Sequence, residues 1–142
     1  MNISFSHIGW AVRSIPEALP SFSVLGYELT GKCVEDQDRN IRIALIENEE
    51  GIVIELIEAM SDKSPVSNIL RLLGPSPYHI CAAISVRKEW IELKKKLMEN
   101  GFAEIIPEKY SSALHHKYGD RINVIFMYNK NLGLMEFAVH DQ

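Results

Sequence analysis

"SHIGWAVRS", residues 6–14, and "YHICAAISV", residues 78–86, decide how this chain is read. Each places a histidine second in a short run of small, apolar and β-branched residues bounded by polar ones, the pattern of a strand buried on at least one side. The two runs match closely. The segments after them match as well, so the order of elements can be worked outward from both.

After the first run, Ser14 and Glu17 have the spacing of a capping box, which predicts a helix beginning near Ile15. Pro16 suits its first turn, whereas Pro20 deletes one amide donor further in, so a short or bent helix ending before Gly26 is expected. "YELTGKCVED" (27–36) then reads as a strand, and "NIRIALIE" (40–47) alternates Ile41, Ile43 and Leu45 with Asn40, Arg42 and Ala44 at the two-residue period. The acidic turn "ENEEG" leads into "GIVIELIEA" (51–59), which completes a hairpin. "SDKSPVSNILRLLG" (61–74) predicts a linking helix with Ser64 as N-cap, Pro65 at its first position and Gly74 as its stop, and "PSP" (75–77) a rigid link.

The second run repeats that order. "RKEWIELKKKLMENG" (87–101) carries Trp90, Leu93 and Leu97 at helical spacing and ends on Asn100-Gly101. "FAEIIPEKY" (102–110) is extended, "SSALHHKYGDR" (111–121) reads as a polar loop, and "INVIFMYN" with "LGLMEFAVH" closes as a hairpin about Asn129, Lys130 and Asn131. A strand, a helix and three strands, twice, is an internal duplication with a period of about 70–80 residues, longer than solenoid repeats.

Composition narrows the function. The chain has 142 residues, 46% of them hydrophobic, enough for one ordinary core and too few for two of typical size. Its net charge is −4 with 15 dispersed Lys and Arg, which argues against a nucleic-acid surface, and the run Lys94 to Lys96 reads as a wet helix face. No stretch approaches the roughly 18 apolar residues of a membrane span, and "MNISFSHIGW" lacks the charge and the apolar run of a secretory signal. A cytoplasmic protein is expected, with Cys33 and Cys81 as thiols and Cys81 a small core residue. Trp10 and Trp90 fit core or cup-lining positions.

Superposing the halves aligns His7 with His79 and Glu55 with Glu136, all in strands. Side chains alternate across a strand, so Val53, Glu55 and Ile57 share a face, as do Leu134, Glu136 and Ala138. A carboxylate in such company either faces water at an edge or points into a cavity. Buried, it costs several kcal/mol unless paired or bound to a cation. Two imidazoles and two carboxylates suit a divalent ion such as Zn, Co, Ni, Mn or Fe.

The doubled "HIG…AV" and "HIC…I" openings, the "IEL" and "MEF" endings and "SDKSPV" before the link resemble the vicinal oxygen chelate superfamily, which includes glyoxalase I, methylmalonyl-CoA epimerase, extradiol dioxygenases and bleomycin resistance proteins. The resemblance spans essentially the whole chain and is closest to the epimerase and glyoxalase I-like members. It implies an α+β fold of two βαβββ modules forming a curved, cupped mixed sheet with helices outside. One domain, 1–142, is expected, with module one at about 4–60, the linker helix at about 64–74 and module two at about 77–140. It implies a metal held by His7, Glu55, His79 and Glu136, either within one chain or across a homodimer.

The same resemblance implies a metal-dependent isomerase, epimerase or lyase that removes a proton next to a carbonyl, on a small acyl thioester or a hydroxy or keto acid. Glu136 is its expected base and Glu55 returns the proton on the other face. His115, His116 and Lys117 lie where relatives place a substrate loop, and imply contacts to a carboxylate or phosphate. Where some epimerases have a second catalytic glutamate this chain has Ile43, and the arginine and asparagine pattern that grips glutathione is missing from module one. A resistance-type protein that only binds a small molecule, or an extradiol-type dioxygenase with iron on two histidines and one carboxylate, are the competing readings; Glu55 as a fourth ligand weighs against the latter.

Overall fold

A computed structural model of the protein describes residues 2–141. The chain divides into two compact units: one is His7–Tyr78, and the other takes in the chain before His7 with the chain from His79 onward. Each contains a strand, a helix and three further strands, with one more helix that follows the last strand in the first and stands between the second and third strands in the second. In the first, β1 (Ile3–Val12) leads to α1 (Ile15–Val24), then β2 (Glu28–Asp36), β3 (Ile41–Glu47), β4 (Val53–Ala59) and the linking α2 (Pro65–Leu73). In the second, β5 (Ser76–Ile84) leads to α3 (Arg87–Glu99), β6 (Phe102–Tyr110), α4 (Ser112–Tyr118), β7 (Ile122–Asn129) and β8 (Gly133–His140).

The strand order is β2-β3-β4-β1 in the first unit and β5-β8-β7-β6 in the second. β1 pairs with β4 in parallel and β5 with β8 likewise, while all the other pairs within each unit are antiparallel. Each unit is therefore a βαβββ module with a mixed sheet, and the fold class is the α+β one expected. The parallel pair is a consequence of the helix and strands that separate its members, since a parallel return needs a long crossover.

In module one the helix-covered face buries Val12, Ile15, Phe22, Ala44, Ile46, Ile54 and Leu56, with Trp10 and Tyr27 packed against them. Phe22 meets Trp10 and Tyr27 edge-on, with ring centroids 5.2 and 6.1 Å apart. Module two uses Ile84, Trp90, Leu93, Ile125, Met127, Phe137 and Val139 in the same way. The residues between these, on the opposite face, are His7, Gly9 and Ala11 on β1 and Val53, Glu55 and Ile57 on β4; in module two they are His79, Cys81 and Ala83 with Leu134, Glu136 and Ala138. That face carries the chemistry.

Local sequence explains most boundaries. Ser14 Oγ accepts from the Glu17 amide at 3.3 Å, which is the serine half of the predicted capping box, and α1 runs through Pro20 to end before Gly26. Ser64 occupies the N-cap position of α2 but makes no side-chain capping bond there. Two expectations are corrected. "PSP" is not a separate link, because β5 already begins at Ser76. "SSALHHKYGDR" is not a loop: Ser111 Oγ accepts from the Leu114 amide at 3.3 Å, Ala113 and Leu114 are buried, and Gly119 at φ 76° ends the helix in the left-handed conformation.

Candidate metal centre

Strand register places the two histidine–glutamate pairs in the same way. Gly9 is the partner of Glu55 across β1 and β4, and Cys81 is the partner of Glu136 across β5 and β8. The histidine lies two residues earlier on the same face, so each glutamate has a small residue opposite and an imidazole on the diagonal. His7 Nε2 is 3.6 Å from Glu55 Oε2, and His79 Nε2 is 3.7 Å from Glu136 Oε1. All four residues are buried.

The glutamates' partners on their other side are apolar. Leu45 of β3 is the register partner of Glu55, and Phe126 of β7 is that of Glu136. The Phe126 ring meets His79 edge-on, with centroids 5.1 Å apart. A carboxylate in such a setting needs a compensating positive charge. The separations of 3.6 and 3.7 Å exceed a good N–H···O bond. They are close to the roughly 3.4 Å between two donors that each stand about 2.1 Å from a tetrahedral ion. The four buried His and Glu side chains fit a metal ion by chemistry and by this spacing within each pair.

The other expected site residues lie on α4. The His115 ring is 5.7 Å from that of Tyr110 and 6.2 Å from that of His116, and Lys117 Nζ lies 5.6 Å from the Tyr118 ring. His116 is exposed, and His115 and Lys117 are half-buried. Ile43 is buried on β3 opposite Ile57, so no carboxylate occupies that position.

Sequence reasoning misses His140. It lies four residues after Glu136 on the same face of β8, and its Nδ1 is 3.4 Å from Asp120 Oδ2. The two-residue period of "LMEFAVH" carries that signal. Elsewhere, a hollow of about 710 Å³ lies against the outer side of α3; of its basic groups, Arg87 and Lys94 are paired with Glu108 and Glu104, and Lys95 lines it too. The Arg87 hydrogen bond, with one from Asn123, holds the Glu108 carboxyl below the ordinary range against the opposing effect of burial. Cys33 is exposed, and partial burial of its thiol, followed by the Glu58 carboxylate, pushes that thiol up.

Comparison with known proteins agrees with this fold. The family model described as glyoxalase/bleomycin resistance protein/dioxygenase superfamily matches residues 6–119. No curated protein matches significantly. Among solved structures, a hypothetical protein of Bacillus halodurans C-125 superposes with a TM-score of 0.80 at 26% identity, covering 100% of this chain and 97% of that one. Methylmalonyl-CoA epimerase from Mycobacterium tuberculosis gives 0.78 at 18% identity, covering 97% and 88%. A variant of the Streptomyces coelicolor methylmalonyl-CoA epimerase in complex with 2-nitronate-propionyl-CoA gives 0.75 at 18%, covering 97% of both. With paired βαβββ modules, a His–Glu pair at the same register in each, and a family match over most of its length, the chain belongs to the glyoxalase/bleomycin resistance protein/dioxygenase superfamily.

Proposed function

We propose that the protein is a metal-dependent isomerase, epimerase or lyase that moves a proton on the carbon next to a carbonyl, as a methylmalonyl-CoA epimerase or a lactoylglutathione lyase does. The observation that carries the reading is the recurrence of a buried His–Glu pair at equivalent register in both modules. In this reading the modules work as one domain, and His7, Glu55, His79 and Glu136 together hold one divalent ion. Such an ion supplies Lewis-acid stabilisation of the charge that develops beside the carbonyl, an effect of several kcal/mol in a dry site.

The chain's own residues do the rest. Glu136 takes the proton, and Glu55 returns it. Each is buried beside an apolar partner, so little bulk water competes with it for the proton. Ile43 puts no third carboxylate beside them, so both proton transfers fall to Glu55 and Glu136. His115, His116 and Lys117 offer donors to a carboxylate or phosphate of a small acyl thioester or hydroxy or keto acid. The edge strands β2 and β6 carry exposed backbone edges, which suits a cytoplasmic homodimer.

The test is to load the purified protein with divalent metal, incubate it in heavy water with candidate thioesters and acids, and follow deuterium entry beside the carbonyl. Exchange that is lost in His79→Ala supports the reading. Tight ligand uptake with no exchange by any candidate would overturn it in favour of a binding protein.

A further inference from the structure

A hollow of about 230 Å³ lies between the first residues of β1, Ser4 to Ser6, and module two. On module two it is lined by Ala83 and Ser85 after β5's His79, by Ala138 and His140 after Glu136, and by Leu114 and Tyr118 of α4. Ala83 and Ala138 are register partners, and Ala138 lies on Glu136's own face, two residues or about 7 Å along β8. The hollow therefore starts one strand repeat from the proposed base. Duplication gives an internal comparison: the residue two after Glu55 is Ile57, so where module one has a buried isoleucine, module two has alanine and space.

The hollow's far end is polar. Asp120 Oδ2 faces His140 Nδ1 at 3.4 Å. Asp120 sits at Nδ1, so Nε2 is the ring's other polar atom, and His140 lines the hollow. Asp120 also sets a negative charge behind that ring, which disfavours a second anion there. Ser85 adds a hydroxyl that both donates and accepts. The space amounts to about eight waters, counting roughly 30 Å³ for each, so a ligand group of only a few heavy atoms fits.

We infer that this hollow is a specificity pocket that takes a short substituent ending in a hydroxyl, borne by the substrate next to the carbon that loses its proton. The inference rests on the proposed proton transfer for its place in the reaction. The binding itself is independent of that reading. His140 accepts the hydroxyl's proton in a hydrogen bond, Ser85 satisfies its oxygen, and the two alanines set the length admitted.

The experiment uses the metal-loaded full chain labelled with ¹³C at alanine methyls, titrated with butan-1-ol, butanoate and butylammonium. The alcohol is expected to shift the Ala83 and Ala138 methyls and to bind about tenfold more tightly than butanoate, which the Asp120 carboxylate disfavours. His140→Phe, which keeps a ring but removes the acceptor, is expected to weaken the alcohol about five- to tenfold. Ala138→Ile, copying Ile57, and the milder Ala138→Val are each expected to reduce the shift of Ala83, to near nothing for isoleucine. Equal or tighter binding of butanoate or butylammonium, unmoved methyls with all three probes, or an unaltered alcohol response in both His140→Phe and Ala138→Val overturns the pocket. None of these readouts needs turnover. A failure of deuterium exchange alongside a normal alcohol titration therefore sinks the proposed reaction and leaves the pocket.

Discussion

At the residue scale, the weight falls on Glu136 and His79. Glu136→Gln keeps an oxygen donor for metal but cannot accept a proton, so deuterium exchange is expected to fall about 10²-fold or more while metal stays bound. His79→Ala should lose both, as metal analysis after desalting will register. Glu108 governs a separate, acid-sensitive contribution. Its carboxyl is held low in the folded chain by Arg87 and Asn123, so its stabilisation is complete above the unfolded value and is lost as pH falls through the folded one. Arg87→Ala should therefore lower the denaturation midpoint near neutral pH and make little difference in strong acid. The four His and Glu positions were legible because a strand's two-residue period fixes the face and the duplication picks the same residue types twice. The same period puts His140 on Glu136's face, but its link to Asp120 was not legible, because it joins a strand end to a residue 20 positions away.

At the scale of elements, the long amphipathic segments were readable and the short one was not. α3 shows Trp90 and Leu93 buried at helical spacing, whereas β3 does not alternate in burial as its sequence suggests, because Ala44 and Ile46 pack in the core on the face that Arg42 shares. α4 has seven residues, too few for a periodic signal, and two adjacent histidines obscure its apolar side. Its existence depends on its caps and on burying Ala113 and Leu114. Ser111→Ala removes the N-cap and is expected to cost about 1 kcal/mol. That lowers the thermal midpoint by roughly 2–4 °C. Gly119→Ala meets no atom within 4 Å, yet a φ of 76° makes it strained, so a loss of about 1–2 kcal/mol is expected from backbone alone. Denaturant titration with an unchanged slope would confirm that both act on stability rather than on fold.

For the whole molecule, the proposed shared ion predicts one metal per chain, against two if each His–Glu pair acts alone. Metal at a hundredfold over its dissociation constant adds about 2.7 kcal/mol to folding. A chelator should accordingly lower the thermal midpoint by roughly 5–10 °C, and readdition of metal should restore it. Calorimetry with metal analysis on the same sample reads both numbers. A midpoint indifferent to chelator would mean that the two buried pairs are closed ion pairs with no cation to hold.

The amino-acid sequence alone determined the duplicated order of strand and helix, the face on which each histidine and glutamate lies, and the chemistry those donors suit, because each depends on local periodicity and composition. Only the tertiary structure decided that each histidine meets its glutamate across a parallel pair, that residues 112–118 form a helix, and that Ala138 borders a hollow where its counterpart Ile57 is packed. Those outcomes depend on register and packing between segments far apart in the chain, and no local pattern of residues encodes them.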